Sequence, residues 1–293
     1  MSHFPNNFLK TLLSWMGGPV HDEHPLLLRS VFLLFRMIVY RMRVCLFMLA
    51  LFLLQEAGSA TGVDPQKSLP ARRVTTPILI DGKLNEQAWS QAPYAEGFIQ
   101  NEPNPGAKAT HDTKVMFLYD GHAIYIGAIL YDPEPSKILH ELCIRDNTSN
   151  SDLFRVFLDA YQSGLNGFSF SVNAAGVQSE AIVSNHQENL NWNAVWDSEV
   201  RIDSMGWVVE MKIPFSSLRF PKAEWQQWNV QFTREIRRFR ETSHWSKVDP
   251  LVNGWVQQSG RVDSLGQLAS PLRLSLTPFV TAYLNSAPDP GSQ

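Results

Sequence analysis

Cysteine is almost missing from this chain. Two occur in 293 residues, Cys45 inside an apolar N-terminal run and Cys143 beyond it. One remaining thiol excludes an internal disulfide and a cysteine metal cluster, and Cys143 reads as a small buried hydrophobe. An excess of charge is missing too. The formal net charge is −3, and past residue 60 there are 20 basic and 25 acidic residues. Such a surface has no attraction for a polyanion, which argues against a nucleic-acid partner. Neither G-x-x-x-x-G-K-[ST] nor G-x-G-x-x-G occurs, so no nucleotide loop is expected. No serine sits in a G-x-S-x-G elbow. His111, His122, His140, His186 and His244 are scattered, with no H-x-x-x-H pair for zinc. No cofactor and no metal ligand set is expected. The run Arg145-Asp146-Asn147-Thr148-Ser149-Asn150-Ser151-Asp152 is rich in oxygen ligands and leaves a structural calcium open, without EF-hand spacing.

The N-terminal third holds most of the apolar bias. Leu26–Leu54 is interrupted by Arg29, Arg36, Arg41 and Arg43, which leaves Val44–Leu54 as the uninterrupted run. That is short for a membrane span and suits the core of a signal peptide. Met42-Arg43 supplies a basic start and Gly58-Ser59-Ala60 a small-residue cleavage site. Residues 1–60 are therefore expected to be an extension plus a signal peptide, with the true start at Met37 or Met42. A membrane anchor over Leu26–Leu54 is the alternative. The expected localisation is export to the periplasm, outer membrane or cell surface. Residues 61–72, with Pro65 and Pro70, read as a linker.

From residue 73 to 268 the pattern is all-β. Thr76–Ile80, Val115–Tyr119, Ala123–Tyr131, Val156–Leu158, Phe168–Val172, Glu199–Ile202, Trp207–Ile213, Trp228–Arg234 and His244–Lys247 read as strands. Turn residues punctuate them every eight to twelve residues or so, which indicates an antiparallel β-sandwich of jelly-roll type. Ala123–Tyr131 is apolar on both faces, so it should be central. Asp203-Ser204-Met205-Gly206 should turn a hairpin. Only two short helices are expected, over Leu84–Ser90 and, after Pro214, over Phe215–Leu218. Residues 269–293 begin a further β region: Leu272, Leu274 and Leu276 alternate with polar residues, as in an outer-membrane strand.

Eight of nine tryptophans lie beyond residue 60. A sugar ring stacks its C–H face on an aromatic ring, with amides and charged groups nearby for its hydroxyls. Trp192 and Trp196, in Asn191-Trp192-Asn193-Ala194-Val195-Trp196-Asp197, fit that chemistry. So does Trp255, in Asn253-Gly254-Trp255-Val256-Gln257-Gln258. Trp89, Trp207, Trp228 and Trp245 lie in helix or strand patterns and read as core. Glycoside hydrolysis needs two facing carboxylates, for which Asp159, Glu180, Glu188, Asp197 and Glu210 are the candidates by position.

Several motifs in order resemble family 9 carbohydrate-binding modules. Ile80-Asp81-Gly82-Lys83-Leu84-Asn85-Glu86-Gln87-Ala88-Trp89 looks like the opening signature of that family. Val115–Asp120 with Ala123–Asp132, Asp152–Asp159, and Gly206–Glu210 with Ile213-Pro214 resemble its later segments. Asn101–Gly106, Val172–Gln178 and Pro214–Phe220 are similar to a bacterial subgroup in which the module precedes an outer-membrane β-barrel. The resemblance implies a β-sandwich that grips a terminal sugar between two tryptophans. Trp255 stands in the place of one. The place of the other reads Ser149-Asn150-Ser151-Asp152, with no aromatic, so Trp192 or Trp196 would supply the second wall.

Three readings follow. The first is a non-catalytic carbohydrate-binding domain of an exported bacterial protein, linked to polysaccharide breakdown or uptake. Its oligo- or polysaccharide would be held by Trp255, Trp192, Trp196 and Asn253. The second is a periplasmic structural or interaction domain of an outer-membrane barrel protein. The third is an O-glycosyl hydrolase using paired carboxylates.

Overall fold

The computed structural model describes residues 33, 37–48, 66–147, 149–268 and 280–282. The chain divides into two compact units, Met1–Asp64 and Pro65–Gln293. In the first, residues 37–48 are helical. No described helix is long and apolar enough to cross a membrane. The expected cleavage site Gly58–Ala60 and the alternating run Leu272–Thr277 lie outside the described residues.

The second unit is a two-sheet β-sandwich, as the alternating pattern indicates. Its strands, in chain order, are β1 (Ser68–Pro70), β2 (Arg72–Arg73), β3 (Tyr94–Ala95), β4 (Ile99–Glu102), β5 (Thr113–Tyr119) and β6 (Ala123–Tyr131). Then come β7 (Leu153–Asp159), β8 (Asn166–Asn173), β9 (Gln178–Ser184), β10 (Gln187–Asn189) and β11 (Asp197–Asp203). The last are β12 (Gly206–Pro214), β13 (Trp225–Ile236), β14 (Glu241–His244) and β15 (Gly260–Gly266). The larger sheet runs β1-β15-β13-β7-β8-β9-β10, with β14 and β4 attached to the side of β13. The smaller runs β11-β12-β6-β5-β2, with β3 on β5.

Between the sheets, side chains at alternate positions meet. Val115 and Phe117 of β5, Ile124 and Ile126 of β6, Trp207 and Val209 of β12, Phe170 of β8 and Trp228 of β13 share one buried core. Trp245 joins it. The strand β6 pairs with both β12 and β5 and is covered on both faces, as its unbroken apolar sequence requires.

The outer cover on the smaller sheet is a second small core. Val74, Ile78, Trp89, Met116, Leu118 and Tyr125 form it. Gly127 makes it possible: a Cβ there would lie 2.7 Å from Leu84 and 2.9 Å from the Trp89 ring. The Asp81-Gly82-Lys83 turn is pinned from below by the fully buried Glu210 of β12. Its Oε2 accepts the backbone N–H groups of Asp81 (2.9 Å), Gly82 (2.8 Å) and Lys83 (3.2 Å).

Some local expectations change. Thr76–Ile80 is no strand but an irregular cover over the small core, and Pro77 has no N–H to give a ladder. Ser68–Pro70, within the expected linker, pairs in parallel with Arg261–Asp263. The helices are shorter than expected, an α-turn at Gln87–Ser90 and a 3-10 turn at Phe215–Ser217. Cys143 is half-buried in a loop, its Sγ 3.4 Å from the Asn147 carbonyl, rather than in the core.

Candidate functional site

The outer face of the larger sheet carries the candidate site. On β7 the inward side chains are Phe154, Val156 and Leu158, so Arg155, Phe157 and Asp159 point outward. On β8, Phe168 and Phe170 point inward and Ser169, Ser171 and Asn173 outward. The register places Phe157 opposite Ser169 and Arg155 opposite Ser171. On β9, Ala181 and Val183 pair with Ser169 and Gly167. Small side chains on β8 and β9 leave a groove of about 280 Å³ above the sheet, bordered by Arg155, Glu188, Glu235 and Arg237. Arg155 Nη1 donates to Glu188 Oε1 at 3.0 Å, and its Nε is buried without a protein partner. The groove floor thus offers a guanidinium, a carboxylate and hydroxyls side by side, a set that can donate to and accept from neighbouring hydroxyl groups.

Trp255 stands on the same outer face beside this groove, on Phe157, which pairs with the groove residue Ser169. Its ring meets the edge of Phe157 at 4.8 Å and 70° and packs on the small cluster Phe157, Val183, Val256. The indole stays half-exposed. The loop beneath it is held by the Gln258 amide. Gln258 accepts from Asp249 N at 2.7 Å and donates to the carbonyls of Gly254 (3.1 Å), Asp249 (3.3 Å) and Val252 (3.3 Å). Gly254 has φ +89°, and a Cβ there would lie 2.7 Å from the His186 ring at the tip of the β9–β10 hairpin. Only glycine satisfies both conditions. Asn253 is exposed beside it.

The other two expected tryptophans are not on this face. Trp196 is 4% exposed and packs in the inter-sheet core against Phe170 at 5.4 Å, its Nε1 donating to Glu180 at 3.1 Å. It has no face to offer a sugar. Trp192 is half-exposed but contacts Phe168 (5.2 Å) and Phe170 (5.9 Å). Those residues flank Ser169 in sequence and point the opposite way. Trp192 and Trp255 therefore lie on opposite faces of one sheet and cannot close on the same ring.

The candidate carboxylates are dispersed. Asp159 caps its own loop, accepting from Tyr161 N, Gly164 N, Ser163 and Asn229. Glu180 is gripped by Arg145 (2.7 and 2.8 Å), the Ala194 N–H and Trp196. Asp197 is exposed near Lys212, and Glu210 lies under the 81–83 turn. Glu180 and Glu188 both border the groove, each already engaged by an arginine. Among the described residues, no group of three or more His, Cys, Asp or Glu is placed to hold a metal ion. In the oxygen-rich run, Asp146 accepts from Glu180 N and Asp152 from Arg237 N.

His244, weighed in the sequence only as a zinc ligand, lies with Thr233 beside Arg155 on the outer face. His244 Nδ1 pairs with Thr233 Oγ1 at 2.9 Å. Burial, with the Arg155 charge adding to it, lowers the imidazole to about 4. The unfolded side chain titrates near 6.5. The folded state therefore refuses a proton that the unfolded chain accepts. The stabilisation is complete above pH 6.5 and is lost as pH falls towards 4, by up to about 3 kcal/mol. Urea unfolding at pH 7.5 and 4.5 should show a larger difference for the native protein than for His244→Gln. An equal difference in both would disprove the assignment.

Residues 80–237, more than half of the chain, match the family described as carbohydrate family 9 binding domain-like. The chain belongs to this family. Solved structures share the fold at low identity. A family 9 carbohydrate-binding module from Caldicellulosiruptor kristjanssonii, in complex with cellotriose, has a TM-score of 0.51 and 15% identity, covering 72% of this chain and all of that one. A glucose complex from the same organism has a TM-score of 0.51 and 15% identity, covering 69% and 97%. A protein from Bacteroides uniformis has a TM-score of 0.53 and 12% identity, covering 68% and 99%. No curated protein sequence matches the chain. For this family 9 domain, identities of 12–15% carry the fold and leave the ligand to be argued from its own residues.

Proposed function

We propose that the domain is a non-catalytic carbohydrate-binding module of an exported protein, working in polysaccharide breakdown or uptake. One observation carries this reading: the half-buried Trp255 ring rests on Phe157, whose register partner Ser169 lines a neighbouring groove floored by hydroxyls and the Arg155–Glu188 pair. The ring supplies the apolar platform and the floor the polar contacts that a saccharide needs. The cellotriose and glucose complexes of the similar module support it. Export rests on the apolar run Val44–Leu54 followed by Gly58-Ser59-Ala60.

A glycan array probed with the purified protein is the test. Retention of at least one oligosaccharide class is expected. Arg155→Ala should weaken it roughly tenfold or more, since hydrogen bonds to a charged group are worth about 1.5–3 kcal/mol. A folded protein that binds nothing on the array would overturn the reading.

A second reading has an observation of its own. Across the groove from Trp255, the stretch Ser149–Asp152 holds no aromatic, so a sugar would be stacked on one side only. A periplasmic interaction domain of an outer-membrane barrel protein needs no sugar clamp, and the alternation at Leu272–Thr277 agrees with a barrel. That reading expects the protein in the outer-membrane fraction and an empty array.

A further inference from the structure

A second cleft, of about 440 Å³, opens at the end of the sandwich where β7 runs into the 160–165 loop and β8 begins. Trp192 forms one wall, braced from behind by Phe168 and Phe170. Around the mouth stand Tyr161, which is 60% exposed, and Asn166, Ser184 and Arg219. None of these four side chains has a hydrogen-bond or ion-pair partner among the described residues. The contrast with the Trp255 groove is direct, because there Arg155 and Glu188 already engage each other.

The cleft is lined by one carboxylate and one guanidinium, and they differ in what is left for a ligand. The one carboxylate lining it, Asp159, is occupied by two backbone N–H groups, a serine hydroxyl and an asparagine amide. Arg219 is the one cation lining it and is not neutralised. The turn that carries Arg219 is fixed to the tryptophan segment, because Ser217 Oγ donates to the Val195 carbonyl at 3.0 Å. A planar aromatic wall, unspent hydroxyl and amide groups, and a guanidinium at the rim thus share one space. A guanidinium matches a carboxylate in a two-point hydrogen bond, which a neutral hydroxyl cannot return with equal strength.

We propose that this cleft is a second saccharide site that takes a uronic acid residue. The C–H face of the pyranose packs on Trp192, its carboxylate meets Arg219, and its hydroxyls are read by Asn166, Tyr161 and Ser184. The site goes beyond the Trp255 groove: it opens at the end of the sheet and shares none of that groove's lining residues. One domain would then engage two segments of a polysaccharide, or two chains.

The experiment is calorimetric titration of the protein with tri-galacturonate at low salt, with cellotriose as the neutral control. Tri-galacturonate should bind more tightly than cellotriose at this site, and its affinity should fall as salt is raised. Arg219→Ala should lower tri-galacturonate affinity at least tenfold, and Arg219→Glu should abolish binding. Trp192→Ala should also abolish it. Because that change strips packing from Phe168 and Phe170, the two exposed Arg219 variants decide the matter. Trp255→Ala should leave the tri-galacturonate affinity within twofold. No binding of tri-galacturonate, unchanged affinity in Arg219→Ala, or loss of binding in Trp255→Ala would each overturn the proposal. The Trp255-dependent retention on the glycan array is read separately, so either site can fail without the other.

Discussion

Trp255→Ala should abolish retention on an oligosaccharide column while the domain stays folded. The indole is half-exposed, and its buried edge rests on Phe157, Val183 and Val256, which remain in contact without it. The loop does not depend on the ring. Its ties are the Gln258 amide and the Gly254–His186 approach. Truncation should therefore cost little stability, a Tm shift of a few degrees at most for a domain of this size. Binding is different, because among the described residues no second aromatic stands opposite, and the whole stacking contribution falls on one ring. Loss of such an anchor costs at least about 2 kcal/mol, roughly thirtyfold in affinity. Trp255→Phe keeps a smaller apolar face and should retain part of the binding. Unchanged retention of Trp255→Ala would remove the groove from consideration as a sugar site.

Why does Trp255 reach the outer face when Trp192 and Trp196 do not? Its loop, Asn253-Gly254-Trp255, breaks the strand pattern and has no alternation to bury the ring. Trp192 and Trp196 sit in an equally polar segment. What separates them is which face of β8 the segment crosses, and that depends on pairing with strands distant in sequence. Arg155 and the β8 serines were missed, and Glu188 was weighed only as a catalytic carboxylate, for a related reason. The sequence Phe168-Ser169-Phe170-Ser171 states that the serines face away from the core, but an outward serine usually meets only solvent. The groove exists because β7, β9 and the 187–190 segment bring Arg155, Ala181 and Glu188 around those serines.

The sandwich itself was legible because its strands carry their own two-residue period. The hairpin at Asp203–Gly206 and the doubly covered β6 needed only local sequence. Thr76–Ile80 misled for a physical reason. Its apolar residues bury against Met116 and Leu118 from outside the sheet, so they look like a strand without pairing as one.

Glu210→Ala should be the most destabilising single change in the domain's outer cover. Three N–H groups converge on one carboxylate oxygen, and the Gly82 donor is buried with it. Alanine would leave all three without an acceptor and open a void beside Gly127, which pairs with position 210. Each buried unsatisfied donor costs about 1–3 kcal/mol, and water reaches the outer two more easily, so a total of about 3–5 kcal/mol is expected. That corresponds to a Tm lowered by roughly 10 °C. Glutamine separates charge from hydrogen bonding. Burial pushes the Glu210 carboxyl up, against the pull of the three N–H groups, and the neighbouring Glu86 charge pushes the same way. A neutral amide carbonyl in that place should hold the turn with a loss of about 1 kcal/mol. The opening signature Ile80–Trp89 would then be a clamp: the turn is fixed by Glu210, and Leu84 and Trp89 close over Gly127. A Glu210→Ala protein within 1 kcal/mol of the native one in urea would show that the cover is held by its apolar contacts alone.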